Sequence, residues 1–133
     1  MALCLLLVPL GAGAQQSDEL KGYADALARG DYNAAAAALR QPADAGNAEA
    51  QYRFAMLYAD GLGLRPSDAL AASWLRRAAD QGHAAAKYQL GRMYLSGRGV
   101  PSDRREAIAW LTRAANGGHA PATDLLQKLR PGR

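Results

Sequence analysis

The sequence has few of the residues on which disulfide-bonded or β-rich domains depend. It contains one cysteine, so no internal disulfide can form, and any thiol chemistry would rest on Cys4 alone. One phenylalanine and two tryptophans occur among 133 residues, and alanine dominates the apolar half of the chain. Alanine allows close packing of helices but does not build a β-sandwich. The composition therefore favours a helical domain.

The chain also lacks a strong surplus of charge. Its 16 basic and 12 acidic side chains give a formal charge of +4, and they are spread through a mixed sequence. A dedicated nucleic-acid-binding protein would instead carry its basic residues on one clustered face. We therefore expect no nucleic-acid partner.

Only one long apolar run is present, and it lies at the N-terminus. Residues 2–10 (ALCLLLVPL) are followed by the small residues Ala12-Gly13-Ala14, which matches a secretory signal peptide, although no lysine or arginine precedes the run. The run is shorter than the roughly 20 apolar residues that span a bilayer. We expect cleavage after Ala14, leaving a periplasmic or secreted mature chain with no cysteine and no membrane span. A buried N-terminal helix is the alternative.

The chain repeats with a period of 36 residues. When residues 52–87 are aligned with residues 88–123, 14 of the 36 positions are identical, and only five of these are alanines. Both tryptophans and both histidines of the protein fall in this register. The non-alanine matches are Tyr52/Tyr88, Tyr58/Tyr94, Gly61/Gly97, Gly63/Gly99, Trp74/Trp110, Leu75/Leu111, Arg77/Arg113, Gly82/Gly118 and His83/His119.

Each repeat is predicted to form two helices. In the second repeat, apolar residues at helical spacing predict a helix over 48–60, with Asn47 as N-cap and Gly61 after its end. A second helix is predicted from Ser67 or Asp68 to about Gln81, and the third repeat follows the same pattern. In the first repeat, the residues before Asp31 align best with the second repeat at an offset of 34 residues instead of 36. We expect Pro42 to kink or stop the second helix of this repeat near Arg40.

These patterns predict seven helices. We expect them to form an all-α, right-handed α/α solenoid of about three helix-pair repeats plus a C-terminal capping helix. Neighbouring pairs must stack because each pair has an apolar stripe that it cannot bury alone. The expected segments are a signal peptide (1–14), a shorter first repeat (15–46), two full repeats (47–82 and 83–118) and a capping helix with its tail (119–133). The predicted repeat core consists of Tyr58, Trp74, Leu75, Tyr94, Trp110 and Leu111.

The repeat pattern resembles that of the Sel-1-like repeats, a relative of the tetratricopeptide repeat with a longer connecting loop. The shorter first repeat (15–46) is nearer the tetratricopeptide form by resemblance. In the third repeat it reads A-x-x-x-L-G-x-M-Y-x-x-G-x-G-V and then A-x-x-W-L-x-x-A-A-x-x-G-H. The resemblance implies an adaptor that holds other proteins, often in envelope or secretion settings. Cysteine-rich relatives suggest β-lactam binding or hydrolysis as one alternative, although the mature chain has no cysteine. A cell-wall or polysaccharide assembly factor is another.

Candidate residues for chemistry are few. His83 and His119 occupy equivalent positions at helix starts in successive repeats, and packed helices lie about 8–10 Å apart, so the two imidazoles cannot share a metal with bonds of about 2 Å. We expect them to cap helices or to form interhelix hydrogen bonds. No serine begins an S-x-x-K motif, and no G-x-S-x-G occurs. We therefore expect no catalytic residues, no metal, no cofactor and no enzymatic activity.

A partner-binding surface can be predicted on the first helix of each repeat, opposite its packing stripe. This side is expected to line the concave surface of the solenoid and to bind an acidic or carboxylate-bearing peptide of a partner protein. Its candidate residues are Arg53, Met56, Gln89, Arg92 and Lys128. An ordinary solvated face is the alternative. The oligomeric state is open, with a monomer favoured.

Overall fold

The computed structural model describes residues 18–132, and in this range it contains seven helices and no strand. The predicted signal peptide lies outside the described residues. The helices are α1 (Lys21–Ala28), α2 (Tyr32–Asp44), α3 (Ala48–Asp60), α4 (Asp68–Asp80), α5 (Ala84–Ser96), α6 (Arg104–Asn116) and α7 (Ala120–Leu129). Each helix packs mainly on its neighbours in the chain, as in a stack of helix pairs. The all-α repeat prediction is therefore confirmed.

Side-chain caps and glycines set the ends of the helices. Asn47 Oδ1 accepts a hydrogen bond from Ala50 N at 3.0 Å, and Ser67 Oγ accepts one from Leu70 N at 3.2 Å, which satisfies backbone donors that lack an intrahelical partner. α3 and α5 both end at a left-handed glycine, Gly61 or Gly97, as the sequence predicted.

Of the two outcomes expected of Pro42 in α2, a kink or a stop near Arg40, the stop is wrong. The helix continues through Pro42 to Asp44, and the Pro42 ring is buried. Pro42 lies in the last turn, so the missing proline N–H removes only one hydrogen bond before the helix would end anyway. The apolar environment of the ring offsets part of that loss.

The second glycine of each G-x-G loop keeps successive repeats close together. A Cβ added to Gly63 would lie 2.0 Å from the carbonyl oxygen of Tyr32, and one added to Gly99 would lie 2.2 Å from that of Asp68. Tyr32 and Asp68 are themselves equivalent, because each begins the second helix of the preceding repeat. The loop thus touches the neighbouring repeat at a point that admits only glycine.

The core follows the repeat register and is built largely from alanine. Leu75, Leu111, Trp110 and Tyr94 are buried, whereas Tyr58 and Trp74 are half-buried. Trp74 packs edge-on against Phe54 at 5.2 Å between ring centroids. It also touches the apolar clusters on both sides of α4, so its indole fills the space between layers. Among residues 18–132, no helix is both long and apolar enough to cross a membrane.

Candidate functional site

A groove of about 460 Å³ opens where the first helices of successive repeats lie side by side. Most of its lining comes from α3 and α5, and Leu75 of α4 and Leu125 of α7 also line it. The groove therefore runs across repeats, and no single helix pair could form it.

The apolar part of the groove is lined by flexible and branched side chains. They are Met56 and Ala59 of α3, Met93 and Leu95 of α5, Leu75 and Leu125. Met93 and Leu75 are buried in the core, whereas Met56, Leu95 and Leu125 are half-buried. The unbranched thioether chain of Met56 can adapt to the shape of a bound group. The surface can therefore accept an apolar side chain without requiring one fixed shape.

Arg92 is the cation at the mouth of this apolar surface. Its Nη1 donates a hydrogen bond to Gln89 Oε1 at 3.3 Å, and its guanidinium lies 5.8 Å from the centroid of the Tyr88 ring. Within residues 18–132 it forms no ion pair. The group is thus exposed and oriented by an amide and an aromatic ring, while its remaining donors can bind a carboxylate.

Arg98 also lines the groove and is held by the preceding repeat. Its guanidinium donates two hydrogen bonds to the carboxylate of Asp68, at 2.8 and 3.3 Å. These hydrogen bonds are the main cause of the raised pKa of Arg98, and the charge of Asp68 adds to it. Because Arg98 already has a carboxylate partner, Arg92 is better placed to bind an acidic group.

The structure places three of the five predicted partner-binding residues in this groove. Met56, Gln89 and Arg92 line it together, although they come from two different repeats. Arg53 and Lys128 are exposed but do not line it. The single row predicted from sequence is therefore divided, with its central part forming the groove.

Arg53 instead belongs to a polar cluster at the junction of the second and third repeats. Its Nε donates to Glu49 Oε1 at 2.6 Å, and the other oxygen of Glu49 lies 2.6 Å from His83 Nε2. Burial alone would raise the pKa of Glu49, but the hydrogen bonds from His83 and Arg53 and the charges of these two groups together outweigh it and lower the pKa. Arg53 is therefore engaged within the scaffold.

His83 performs both of the roles expected of it. Its Nδ1 accepts a hydrogen bond from Ala86 N at 3.1 Å and so caps α5, while Nε2 faces Glu49. His119 keeps the equivalent place at the start of α7 but forms no capping hydrogen bond. Among the described residues, no group of three or more His, Cys, Asp or Glu side chains could hold a metal ion.

Several groove residues were not predicted from the sequence. Arg98 lies in the loop after α5, and Leu125 lies in the last helix. Their place in the groove depends on how α5 and α7 are positioned. The sequence did contain a signal for the Arg53 ion pair, which lies outside the groove. Glu49 and Arg53 are four residues apart on one helix, which is the separation of a typical intrahelical ion pair.

The fold and the groove define an α/α repeat scaffold of the kind that presents a surface for other proteins. Sel1 repeat is the family that matches the chain, at residues 48–83 and 84–119, which together exceed half of its length. This protein belongs to the Sel1 repeat family. Repeats of this family mediate protein–protein interaction and are generally non-enzymatic scaffolds. No match is found among curated proteins.

Solved structures of similar proteins agree with this assignment. The Sel1 repeat protein from Oxalobacter formigenes is 34% identical, with a TM-score of 0.78 over 85% of this chain and 88% of that chain. The protective antigen c5321 of uropathogenic Escherichia coli, which has an SLR fold, is 28% identical with a TM-score of 0.75. That match covers 85% of this chain but 26% of the antigen.

A third structure shares the fold alone. The match to Helicobacter pylori cysteine rich protein B has a TM-score of 0.67 and 16% identity, and it covers 87% of this chain and all of the other. It therefore carries over the helical architecture without indicating a ligand or an activity for this chain.

Proposed function

We propose that this protein is an exported scaffold that binds a segment of a partner protein in the groove between α3, α5 and α7. The observation that carries the proposal is the combination of an apolar floor with Arg92 at its mouth. A surface that only had to remain hydrated would have no need for the half-buried Met56, Leu95 and Leu125 beside an exposed guanidinium. Family membership supports the general role, because Sel1 repeats mediate protein–protein interaction.

The groove favours a partner segment with an apolar side chain next to a carboxylate. The apolar side chain would contact the half-buried Met56, Leu95 and Leu125, and burial of its surface would supply most of the affinity. The carboxylate would receive hydrogen bonds from Arg92, which adds orientation and specificity more than affinity. Asp60, which also lines the groove, would repel a second carboxylate on its side.

Site-specific crosslinking can test whether the groove is occupied in cells. A photoreactive phenylalanine at Gln89, which is half-buried in the groove, should crosslink to a partner segment. The same residue at Arg105, which is exposed on α6 outside the groove, should not. The crosslinked segment is then identified by mass spectrometry and synthesised. Equal crosslinking from both positions would contradict the proposal.

The affinity of that synthetic segment then tests the role of Arg92. Arg92→Glu should weaken binding by about fivefold or more at low salt, because it replaces an attraction with a repulsion. Arg105→Glu makes the same change of net charge outside the groove and should leave the affinity unchanged. If the two variants bind equally, Arg92 has no specific role.

Export is part of the proposal and rests on the N-terminal sequence. Residues 2–14 combine an apolar run with a small-residue cleavage site. N-terminal sequencing of the protein recovered from the envelope or medium should begin at Gln15. Ala14→Arg should block cleavage, and recovery of uncleaved wild-type chain from the cytoplasm would contradict export.

A further inference from the structure

A second groove, of about 450 Å³, lies at the C-terminal end of the solenoid and is separate from the proposed partner groove. Ile108 and Thr112 of α6 form one side, and Leu126 and Leu129 of α7 form the other. The floor between them is mainly apolar. The C-terminal helix therefore leaves part of its own apolar surface uncovered.

The repeat register shows what normally fills this place. Position 108 is equivalent to positions 72 and 36, where Ala72 is 4% exposed and Ala36 is 3% exposed, whereas Ile108 is 37% exposed. The position is thus covered in the first two repeats and open in the third. Isoleucine, which is larger than the alanine of the first two repeats, therefore occupies the one position of the three that no described neighbouring helix covers.

The same comparison holds on α7. Leu126 and Leu129 are equivalent to Leu90 and Met93, which are buried in one cluster with Ala107 and Trp110 of α6. α6 therefore covers α5, whereas no described helix follows α7 to cover it in the same way. Leu126 and Leu129 remain only half-buried. The groove has the place and the apolar lining of a seat for one more helix.

The charge of the groove indicates which kind of helix would fit. Arg104 and Arg130 flank the apolar surface, and the residues that line it include no carboxylate. Arg104 donates a hydrogen bond from Nη2 to the carbonyl oxygen of Leu129 at 2.6 Å, which holds this guanidinium at the rim. A second copy docked through the same face would place these guanidiniums against one another. A helix that carries carboxylates beside its apolar stripe would pair with them.

We propose that the groove between α6 and α7 binds an amphipathic helix of a partner protein, with apolar residues at i, i+3 and i+4 and with acidic flanks. The partner helix lies where the second helix of a fourth repeat would pack. Its apolar residues cover Ile108, Leu126 and Leu129, and its carboxylates pair with Arg104 and Arg130. The mode is the docking of a helix into a groove, with burial of the stripe as the main source of affinity.

Two synthetic peptides serve as probes. Both have the 13-residue length of α6 and its stripe of Ala107, Trp110, Leu111 and Ala114, and they differ only in flanking residues, all glutamate in one and all lysine in the other. Binding to the full chain is measured by isothermal titration calorimetry at low salt, with side-chain methyl NMR to locate the contact. We expect the glutamate peptide to bind at least about fivefold more tightly and to shift the Ile108, Leu126 and Leu129 methyl signals.

Variants at exposed positions test the site without disturbing the fold. Ile108→Glu should weaken binding of the glutamate peptide by about tenfold or more. Leu70→Glu should leave the affinity unchanged, because Leu70 is also aliphatic and 47% exposed but lies outside the groove. Arg130→Glu should reduce the preference for the glutamate peptide.

Three results would overturn the proposal: equal affinity for the two peptides, equal effects of Ile108→Glu and Leu70→Glu, or methyl shifts at the α3–α5–α7 groove instead. A self-association by sedimentation that Ile108→Glu abolishes would also overturn it, because the occupant would then be a second copy. Thermal unfolding of each variant confirms that it is folded.

Discussion

The two histidines show how differently two equivalent junctions of this scaffold are held. His83 and His119 both lie against a tyrosine of the preceding first helix, at 4.7 Å from Tyr52 and 4.9 Å from Tyr88 between ring centroids. Only His83 also caps its helix and reaches Glu49. The position equivalent to Glu49 is Ala85, so His119 has no carboxylate to meet.

The two tryptophans also occupy equivalent positions, and they differ in burial. Trp74 and Trp110 each lie under an arginine three residues later, Arg77 or Arg113, with 4.5 and 4.7 Å from the guanidinium carbon to the ring centroid. Trp110 is nevertheless buried, whereas Trp74 is half-buried. The repeat thus preserves apolar packing and the tryptophan–arginine contacts within one helix, whereas the burial of a side chain and its polar hydrogen bonds depend on the neighbours of each repeat.

The largest effect is expected from truncation of the tryptophans. Trp110→Ala should lower the free energy of unfolding by about 3–5 kcal/mol, because it leaves a large cavity in the core. Trp74→Ala should cost roughly half as much, because part of that ring already contacts water. Urea denaturation of the two variants measures the difference. A greater loss at Trp74 would contradict the burial difference between the repeats.

A smaller loss is expected where the loops touch the preceding repeat. Gly99→Ala should lower the free energy of unfolding by about 2–3 kcal/mol. The added Cβ would collide with the carbonyl of Asp68, and a φ of +71° is unfavourable for alanine. Gly82→Ala should cost only about 1 kcal/mol, because its φ is +94° but no atom lies near the added Cβ. Chemical denaturation of both variants separates conformational strain from collision, and equal losses would mean that the close contact is unimportant.

The histidine junctions should differ by about 1 kcal/mol. His83→Ala removes a capping hydrogen bond and the contact with Glu49, for a loss of about 1–2 kcal/mol, whereas His119→Ala removes only the aromatic contact, worth roughly 0.5 kcal/mol. His83→Asn should recover the capping part, because Asn47 caps α3 from the equivalent position. Thermal unfolding would refute the comparison if the two alanine variants melted alike.

The smallest effect is the pH dependence contributed by Glu49. Its pKa in the folded protein lies below the ordinary value of 4.5, so its stabilising effect is complete above about pH 4.5 and is lost as the pH falls through the lowered pKa. The side chain is 37% exposed, and screening by water keeps the contribution below about 1 kcal/mol. Wild type should exceed Glu49→Gln in stability at pH 6, and the gap should narrow progressively as the pH falls below 4.5. An unchanged gap would exclude this carboxylate as the cause.

Most of the fold could be predicted, because its signals act over a few residues or recur at a fixed spacing. The bounds of α3 and the capping by Asn47 follow from the local pattern of apolar, capping and glycine residues. Pro42 shows where local reasoning failed, because a proline in the last turn of a helix is tolerated when its ring is buried. Of the residues that line the groove, Met56, Gln89 and Arg92 were among those predicted from the sequence, whereas Arg98 and Leu125 were not. Their role in binding a partner stays a prediction.

The 36-residue helix-pair repeat, its turns and an apolar stripe for each helix follow from the amino-acid sequence alone, because hydrogen bonds and periodic burial within one repeat are sufficient to form them. The packing of repeats against one another is what brings His83 to Glu49, leaves Arg92 at a groove and leaves Ile108 uncovered. The reason is that a long side chain can reach several partners, and the relative position of neighbouring repeats selects among them.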